Sequence, residues 1–109
     1  MVTEKTIRIP IYGYRVKIVV FDPEDREKIE KKYNMSLYVG TTLLGQGNCI
    51  VIIPSGDLST AVHECEHAKN AVWEFIGYTP HHTNDEVDAY LLTYIFTEVN
   101  KEMQKHVSN

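Results

Sequence analysis

The chain has 109 residues, of which 43% are apolar and 24% are charged, as in an ordinary globular protein. We expect residues 1–109 to form a single domain, because this length supports one hydrophobic core. No apolar run approaches the roughly 18 residues that a membrane span needs. The first five residues lead into a charged segment with no apolar signal core. We therefore expect no membrane partner and no export.

The formal net charge of −4 is unevenly distributed along the chain. Residues 1–34 contain eight lysines or arginines and six acids, whereas residues 35–109 contain three and nine. Because phosphate contacts require clustered basic side chains, we expect no nucleic-acid partner. Cys49 and Cys65 are too few for a disulfide framework, so we expect buried free thiols and a cytoplasmic protein.

The N-terminal third predicts a hairpin followed by a surface helix. Alternating residues predict strands at 7–9 and 15–20 that lie in one sheet, most simply as a pair. An acid and a proline then begin a helix from residue 22 to about residue 33. Since Ile29 and Tyr33 are its only clearly apolar residues, this helix is expected to be thinly anchored.

A second strand pair is predicted at residues 37–43 and 49–53, joined by a turn that contains two glycines. The second strand is apolar without alternation, which is typical of a central strand covered on both faces. The first is more polar, which favours the edge of the sheet.

Two long helices complete the chain. The first is predicted at 58–76, with Asp57 or Ser59 as its N-cap and Gly77 as its C-terminal stop. The second begins near residue 84 and is expected to fray from residue 101 onward. Its expected apolar stripe consists of Val87, Leu91, Tyr94, Ile95, Val99 and Met103. These elements predict an α+β fold, with a small mixed sheet of about four strands and both long helices packed on one side.

The first long helix contains the pattern His63-Glu64-Cys65-Glu66-His67. Residues four apart lie on one face of a helix, so His63 and His67 can converge on one metal ion. Glu64 is rotated roughly 100° from His63 and can reach a water on that metal without binding the metal itself. Cys65 is rotated by about 200° and is expected to face the core.

An apolar stripe is expected on the opposite side of this helix: Leu58, Ala61, Val62, Cys65, Ala68, Val72, Phe75 and Ile76. A short motif also matches by chance, and the same histidines and glutamates are compatible with a solvated helix face.

A hydrolytic zinc site commonly has three protein ligands, and two histidines with one glutamate are an established set. Glu86, nineteen residues after His67, is our candidate for the third ligand, and the small Ala89 is expected to let the two helices approach. The alternative is a capping box, in which Glu86 bonds back to the backbone of Thr83. Four further candidate ligands remain, namely Asp85, Asp88, His81 and His82.

The histidine motif, followed by Asn84-Asp85-Glu86-Val87-Asp88-Ala89-Tyr90-Leu91, resembles the small zincin-like metallopeptidase-like proteins of bacteriophages and prophages, and more distantly the thermolysin-type gluzincins. The resemblance covers about residues 37–96. It implies a minimal zincin-like fold, Zn²⁺ as cofactor, and His63, His67 and Glu86 as ligands. It also implies that Glu64 is the general base of a hydrolase that cleaves a peptide bond with zinc-activated water.

Two positions depart from the family pattern. The middle pair of the motif is usually apolar or small, whereas here it is Cys65-Glu66. The thermolysin-type aspartate four residues after the ligand glutamate is replaced by Tyr90.

The resemblance implies a protein or peptide substrate in the host cytoplasm. Because the chain is too short for a second subdomain that would frame the cleft, we expect either a substrate bound along the predicted edge strand at residues 37–43 or a remnant of a larger peptidase. Two alternatives remain. One is a non-catalytic zinc-binding phage protein that binds a host or virion partner, and the other is a metal-free structural protein of a virion.

Overall fold

The computed structural model describes residues 1–107. It is a mixed α+β fold with four strands and three helices. The strands are β1 (Val2–Arg8), β2 (Arg15–Phe21), β3 (Thr41–Leu44) and β4 (Asn48–Pro54). The helices are α1 (Arg26–Tyr33), α2 (Leu58–Ile76) and α3 (Glu86–Gln104), and a short 3-10 turn at Pro23–Asp25 precedes α1.

The strands form one mixed sheet in the order β1-β2-β4-β3. Antiparallel pairs lie on the outside, β1 with β2 and β3 with β4, and the parallel pair of β2 and β4 lies at the centre. The predicted hairpin is confirmed, with Ile7 opposite Val16. The predicted central strand is β4 and the predicted edge strand is β3, since β3 pairs with β4 alone.

Alternate residues of the central strands point to opposite faces of the sheet, and each face is covered by its own hydrophobic core. Val51 and Ile53 of β4 point to the face covered by α2 and α3, where the buried helix residues are Ala61, Cys65, Ala68, Val72, Trp73, Leu91, Ile95, Val99 and Met103. Ile52 points to the opposite face and packs with Ile29 of α1. The α1 helix has no other buried residue, in agreement with its predicted thin anchoring.

The start of β3 differs from its prediction. The strand begins at Thr41 and not at residue 37, because the preceding segment is held against α1. The amide of Leu37 donates to Glu30 Oε2 at 2.6 Å, and Arg26 donates to the carbonyl oxygens of Leu37 and Tyr38. Leu37 itself is buried in the α1 core.

The strand at the other edge of the sheet, β1, begins earlier than predicted. The β1 strand begins at Val2, earlier than residue 7, because its charged residues lie at an exposed edge and are paired. Glu4 accepts a bond from Lys32 at 2.7 Å and lies 3.4 Å from Lys17.

The boundaries predicted for α2 are confirmed, and Asp57 is its N-cap. The Asp57 carboxylate accepts bonds from the amide and hydroxyl of Thr60 at 3.0 and 2.7 Å, and Gly77 ends the helix with φ of 74°. The predicted apolar stripe was too wide. Three of its members are about half exposed, namely Leu58, Val62 and Phe75.

The predicted fraying from residue 101 is wrong for the described part of the chain. The α3 helix continues to Gln104, and Glu102 and Met103 are buried. His106 is bonded to Asp22 and to Thr3, both at 2.7 Å. In the stripe predicted for α3, Val87 and Tyr94 are exposed. Residues 108–109 of the predicted fraying end lie outside the described residues. No helix within residues 1–107 is long and apolar enough to cross a membrane.

Candidate metal centre

His63 and His67 lie side by side on the exposed face of α2. Their Nε2 atoms are 3.2 Å apart, and their ring centroids are 4.8 Å apart. Two histidine nitrogens bound to one tetrahedral zinc ion, each at about 2.0 to 2.1 Å, are separated by about 3.3 Å. At this distance the two rings form a hydrogen bond with each other, and the same spacing fits two positions of a zinc site.

The two histidines open onto a cleft of about 500 Å³ between α2 and the edge strand β3. The strand side is lined by Gly40, Thr41, Thr42 and Leu44, and the helix side by His63, Glu64, His67, Asn70, Ala71 and Glu74. The sequence motif thus lies in a cavity that is open to a bound molecule.

Glu64 lies in the same cleft but is only 5% exposed. Its Oε1 atom accepts a hydrogen bond from the Thr42 hydroxyl at 2.8 Å. A buried carboxylate requires such a partner, because it has lost the hydrogen bonds of water. No local sequence pattern indicates this role for Thr42, since the two residues are 22 positions apart.

Gly40 allows the chain to pass close to α2 immediately before β3. A Cβ atom at this position would lie 2.5 Å from Thr60 Cγ2 and 2.8 Å from the carbonyl oxygen of Ile52. A larger residue would therefore displace the strand side of the cleft. No local sequence pattern marks this glycine, because the contact is made by two distant segments.

Glu86 is the exposed first residue of α3. The N-cap of α3 is Asp85 and has no side-chain cap bond, so the alternative capping box with Thr83 is not formed. The expected close approach at Ala89 is also absent, because Ala89 is exposed.

In residues 1–107 the structure does not group Glu86 with the two histidines. The His, Cys, Asp and Glu ligand atoms that lie within 4.8 Å of one another in sets of three belong to Asp22, Glu24 and Asp25. The carboxylates of Asp22 and Asp25 both pair with the amino terminus. Such an acidic cluster has partners of its own and does not require a metal.

Asp88, another candidate ligand, is committed to the contact between α2 and α3. Its two carboxylate oxygens accept bonds from Lys69 Nζ at 2.9 Å and Trp73 Nε1 at 2.7 Å. Lys69 also pairs with Glu66. Burial lowers the pKa of Lys69, but its bonds to Glu66 and Asp88 outweigh burial and raise the pKa overall. This buried lysine was not predicted, although its spacing of three residues from Glu66 is a signal of such a pair in the sequence.

The remaining candidate ligands, His81, His82 and Asp85, are exposed in the connection between α2 and α3. Among the described residues, none of them forms a three-residue ligand group with the histidine pair.

Both cysteines are buried free thiols, as predicted. Burial raises the pKa of Cys49 to about 11. Burial, and then the charge of Glu64, raise the pKa of Cys65 to about 12. A thiol with such a pKa is protonated at neutral pH and is a poor nucleophile and metal ligand.

The cleft thus combines two adjacent imidazoles, which suit a zinc ion, with a shielded carboxylate that can accept a proton. The sequence matches no family model and no curated protein, and the structure matches no solved structure.

Proposed function

We propose that this protein is a zinc-dependent, metallopeptidase-like hydrolase of the zincin type, with His63 and His67 as metal ligands and Glu64 as general base. The observation that supports this proposal most directly is the 3.2 Å separation of the two Nε2 atoms at a cleft that also contains Glu64. From the resemblance in its motifs, we propose that the protein is encoded by a bacteriophage or prophage. Its proposed location is the cytoplasm of the host.

When bound, zinc would lower the pKa of a coordinated water and polarise the carbonyl group of a peptide bond. The Glu64 carboxylate accepts the proton of the attacking water and then donates it to the leaving amine. The Thr42 hydroxyl holds Oε1 of this carboxylate at 2.8 Å, which leaves the second oxygen for the proton transfer.

The substrate side of the proposal rests on β3. This strand pairs with β4 on one side, and its other side is the edge of the sheet. Residues 40–42 and Leu44 also line the cleft that contains the histidines. An extended peptide can add to such an edge through its backbone, which holds the peptide bond beside the metal ligands.

Glu86 completes the proposed ligand set. Its side chain is exposed in the first turn of α3, so packing does not fix its rotamer. The competing candidates are Asp85, His81 and His82, whereas Asp88 is engaged by Lys69 and Trp73.

Zinc content tests the metal site. Protein purified without chelators should contain close to one equivalent of zinc, and His67→Ala should lose it together with part of the thermal stability that a bound metal adds. Asn70→Ala, which alters the same cleft, should retain the metal. Wild-type protein that takes up no zinc would refute the proposal.

Competition with a chelator tests the third ligand. Glu86→Ala should weaken zinc binding by orders of magnitude, and Asp85→Ala, at the neighbouring position, should not. A loss of affinity in Asp85→Ala, His81→Ala or His82→Ala alone would assign the third ligand to that residue.

Glu64→Gln tests the chemistry, because it retains the shape of the side chain and removes the base. Zinc should stay bound, while peptide cleavage should fall by about 10² to 10⁴. The alternative function is a non-catalytic zinc-binding protein that binds a host or virion partner. Full biological activity of Glu64→Gln, with zinc still bound, would establish that alternative.

A further inference from the structure

The cleft continues beyond the histidines toward the C-terminal end of α2. A second pocket of about 500 Å³ lies there, and it shares Leu44, Ala71 and Glu74 with the first. Phe75 forms part of its wall and is 51% exposed, and Leu44 is 68% exposed. The two pockets therefore form one groove, with apolar surface at its far end and the carboxylate of Glu74 between them.

The negative charge of Glu74 does not stabilise α2. This residue lies in the last turn of the helix, where the helix dipole disfavours a negative charge. That turn contains no basic residue, and Glu74 has no ion-pair partner among residues 1–107. Its carboxylate therefore faces the groove without a cation to neutralise it.

The walls of the groove contain no basic residue that would pair with Glu74. No lysine or arginine lines the pocket at the histidines or the pockets on either side of it. Glu64 and Glu74 are their acidic residues. A peptide with a basic side chain is the ligand that complements this charge.

We propose that Leu44, Phe75 and Glu74 form a subsite for a lysine or arginine side chain of an extended peptide substrate. The aliphatic stem would pack on Leu44 and Phe75 while the cationic head pairs with Glu74. This inference rests on the proposed hydrolase function and deepens it, because it names the substrate class.

The position of the subsite follows from the helix geometry. Glu74 is seven residues after His67, or about 10 Å along the helix axis. An extended chain covers this distance in about three residues. The basic residue should therefore lie about three residues from the cleaved bond, always on the same side of that bond.

A mixed peptide library incubated with the zinc-loaded full chain tests the subsite. Sequencing of the products should show lysine or arginine enriched at one such position. Glu74→Gln should lower kcat/KM for a lysine-containing product sequence by about fivefold, and should leave the matched glutamine peptide unchanged. Glu74→Lys should shift the preference at that position to aspartate or glutamate.

Glu27→Gln is the matched control, because it removes one exposed acid from α1 on the opposite face of the sheet. It should leave the peptide preference unchanged. Glu74→Gln should be at least as thermally stable as the parent, which separates a change in specificity from a folding defect.

Failure of the subsite and failure of the hydrolase are distinguishable. Cleavage without a basic preference, or with a preference that survives Glu74→Gln, would refute the subsite and leave the hydrolase intact. If no library peptide is cleaved, the hydrolase proposal fails, and fluorescence anisotropy with the lysine and glutamine peptides then tests the subsite. Tighter binding of the lysine peptide that Glu74→Gln abolishes would support the subsite, and equal binding of both peptides would refute it.

Discussion

The side chains of Thr42 and Glu64 illustrate how one hydrogen bond positions the proposed base. The Glu64 carboxylate is 5% exposed, and the hydroxyl of Thr42 supplies a partner at 2.8 Å. Because Thr42 belongs to β3 and Glu64 to α2, the bond also joins the edge strand to the helix that carries the histidine pair. The base and the strand proposed to hold the substrate are thereby held in one relative position.

We expect Thr42→Val to destabilise the protein by about 1 to 3 kcal/mol, because it leaves a buried carboxylate oxygen without its donor. Urea unfolding measures the effect. Thr41→Val is the matched control, since the Thr41 hydroxyl makes no hydrogen bond within the described residues, and it should change stability by no more than about 0.5 kcal/mol. Equal losses in the two variants would show that the bond to Glu64 contributes nothing.

At the level of elements, the junction between β3 and α2 depends on the absence of a side chain at Gly40. We expect Gly40→Ala to cost about 1 to 3 kcal/mol, because the added Cβ must displace Thr60 and the backbone of Ile52. Thr60→Ser removes the methyl group in this contact and retains the hydroxyl that bonds to Asp57. It should therefore restore part of the stability in the double variant, as measured by thermal unfolding. A double variant with no such recovery would contradict this explanation.

The contact between α2 and α3 depends on a buried charge network. Asp88 bonds to Lys69 and Trp73, and the Lys69 side chain is 6% exposed. We expect Asp88→Asn to cost about 2 to 3 kcal/mol, near the lower limit for breaking a buried pair, because Lys69 keeps its bond to Glu66.

Chemical denaturation measures this loss, and the exposed Asp85→Asn should have little effect on stability. Zinc binding should be the same in Asp88→Asn as in the parent. A loss of zinc in this variant would make Asp88 a ligand and would contradict its structural role.

For the whole molecule, Asp22 and His106 connect the two ends of the described chain. The His106 side chain is 1% exposed and bonds to Asp22 after β2 and to Thr3 in β1. These bonds close α3 onto the β1–β2 side of the sheet. The hydrogen bond from His106, followed by that from Ser55, lowers the pKa of Asp22 from 3.8 to about 2.

This shift predicts a loss of stability in acid. A carboxyl group whose pKa is lower in the folded state stabilises the protein above its unfolded pKa, and the contribution is lost as the pH falls through the folded pKa. We therefore expect the free energy of unfolding to fall between about pH 4 and pH 2. Asp22→Asn should show a smaller decrease across this range, and Ser55→Ala an intermediate one. Identical pH profiles for Asp22→Asn and the parent, measured by urea unfolding, would contradict this assignment.

The sequence alone determined the features that depend on neighbouring residues. The bounds of α2 follow from its capping aspartate and terminal glycine. The pairing of His63 with His67 follows from the helical repeat, since residues four apart must share a face. The apolar run in β4 likewise indicated a central strand, because both of its faces must be covered. The bound metal, its third ligand and the reaction remain predictions.

Only the tertiary structure decided which distant residues meet. The bond from Thr42 to Glu64 and the close approach at Gly40 join segments that are far apart in sequence. A pattern of neighbouring residues therefore cannot predict them. The same reason applies to Asp88, whose partners lie on another helix, and to His106, whose burial stops the expected fraying of α3. Local patterns determine helices, strands and their faces, whereas the packing of one element on another determines which side chains lie at the site and which hold the fold together.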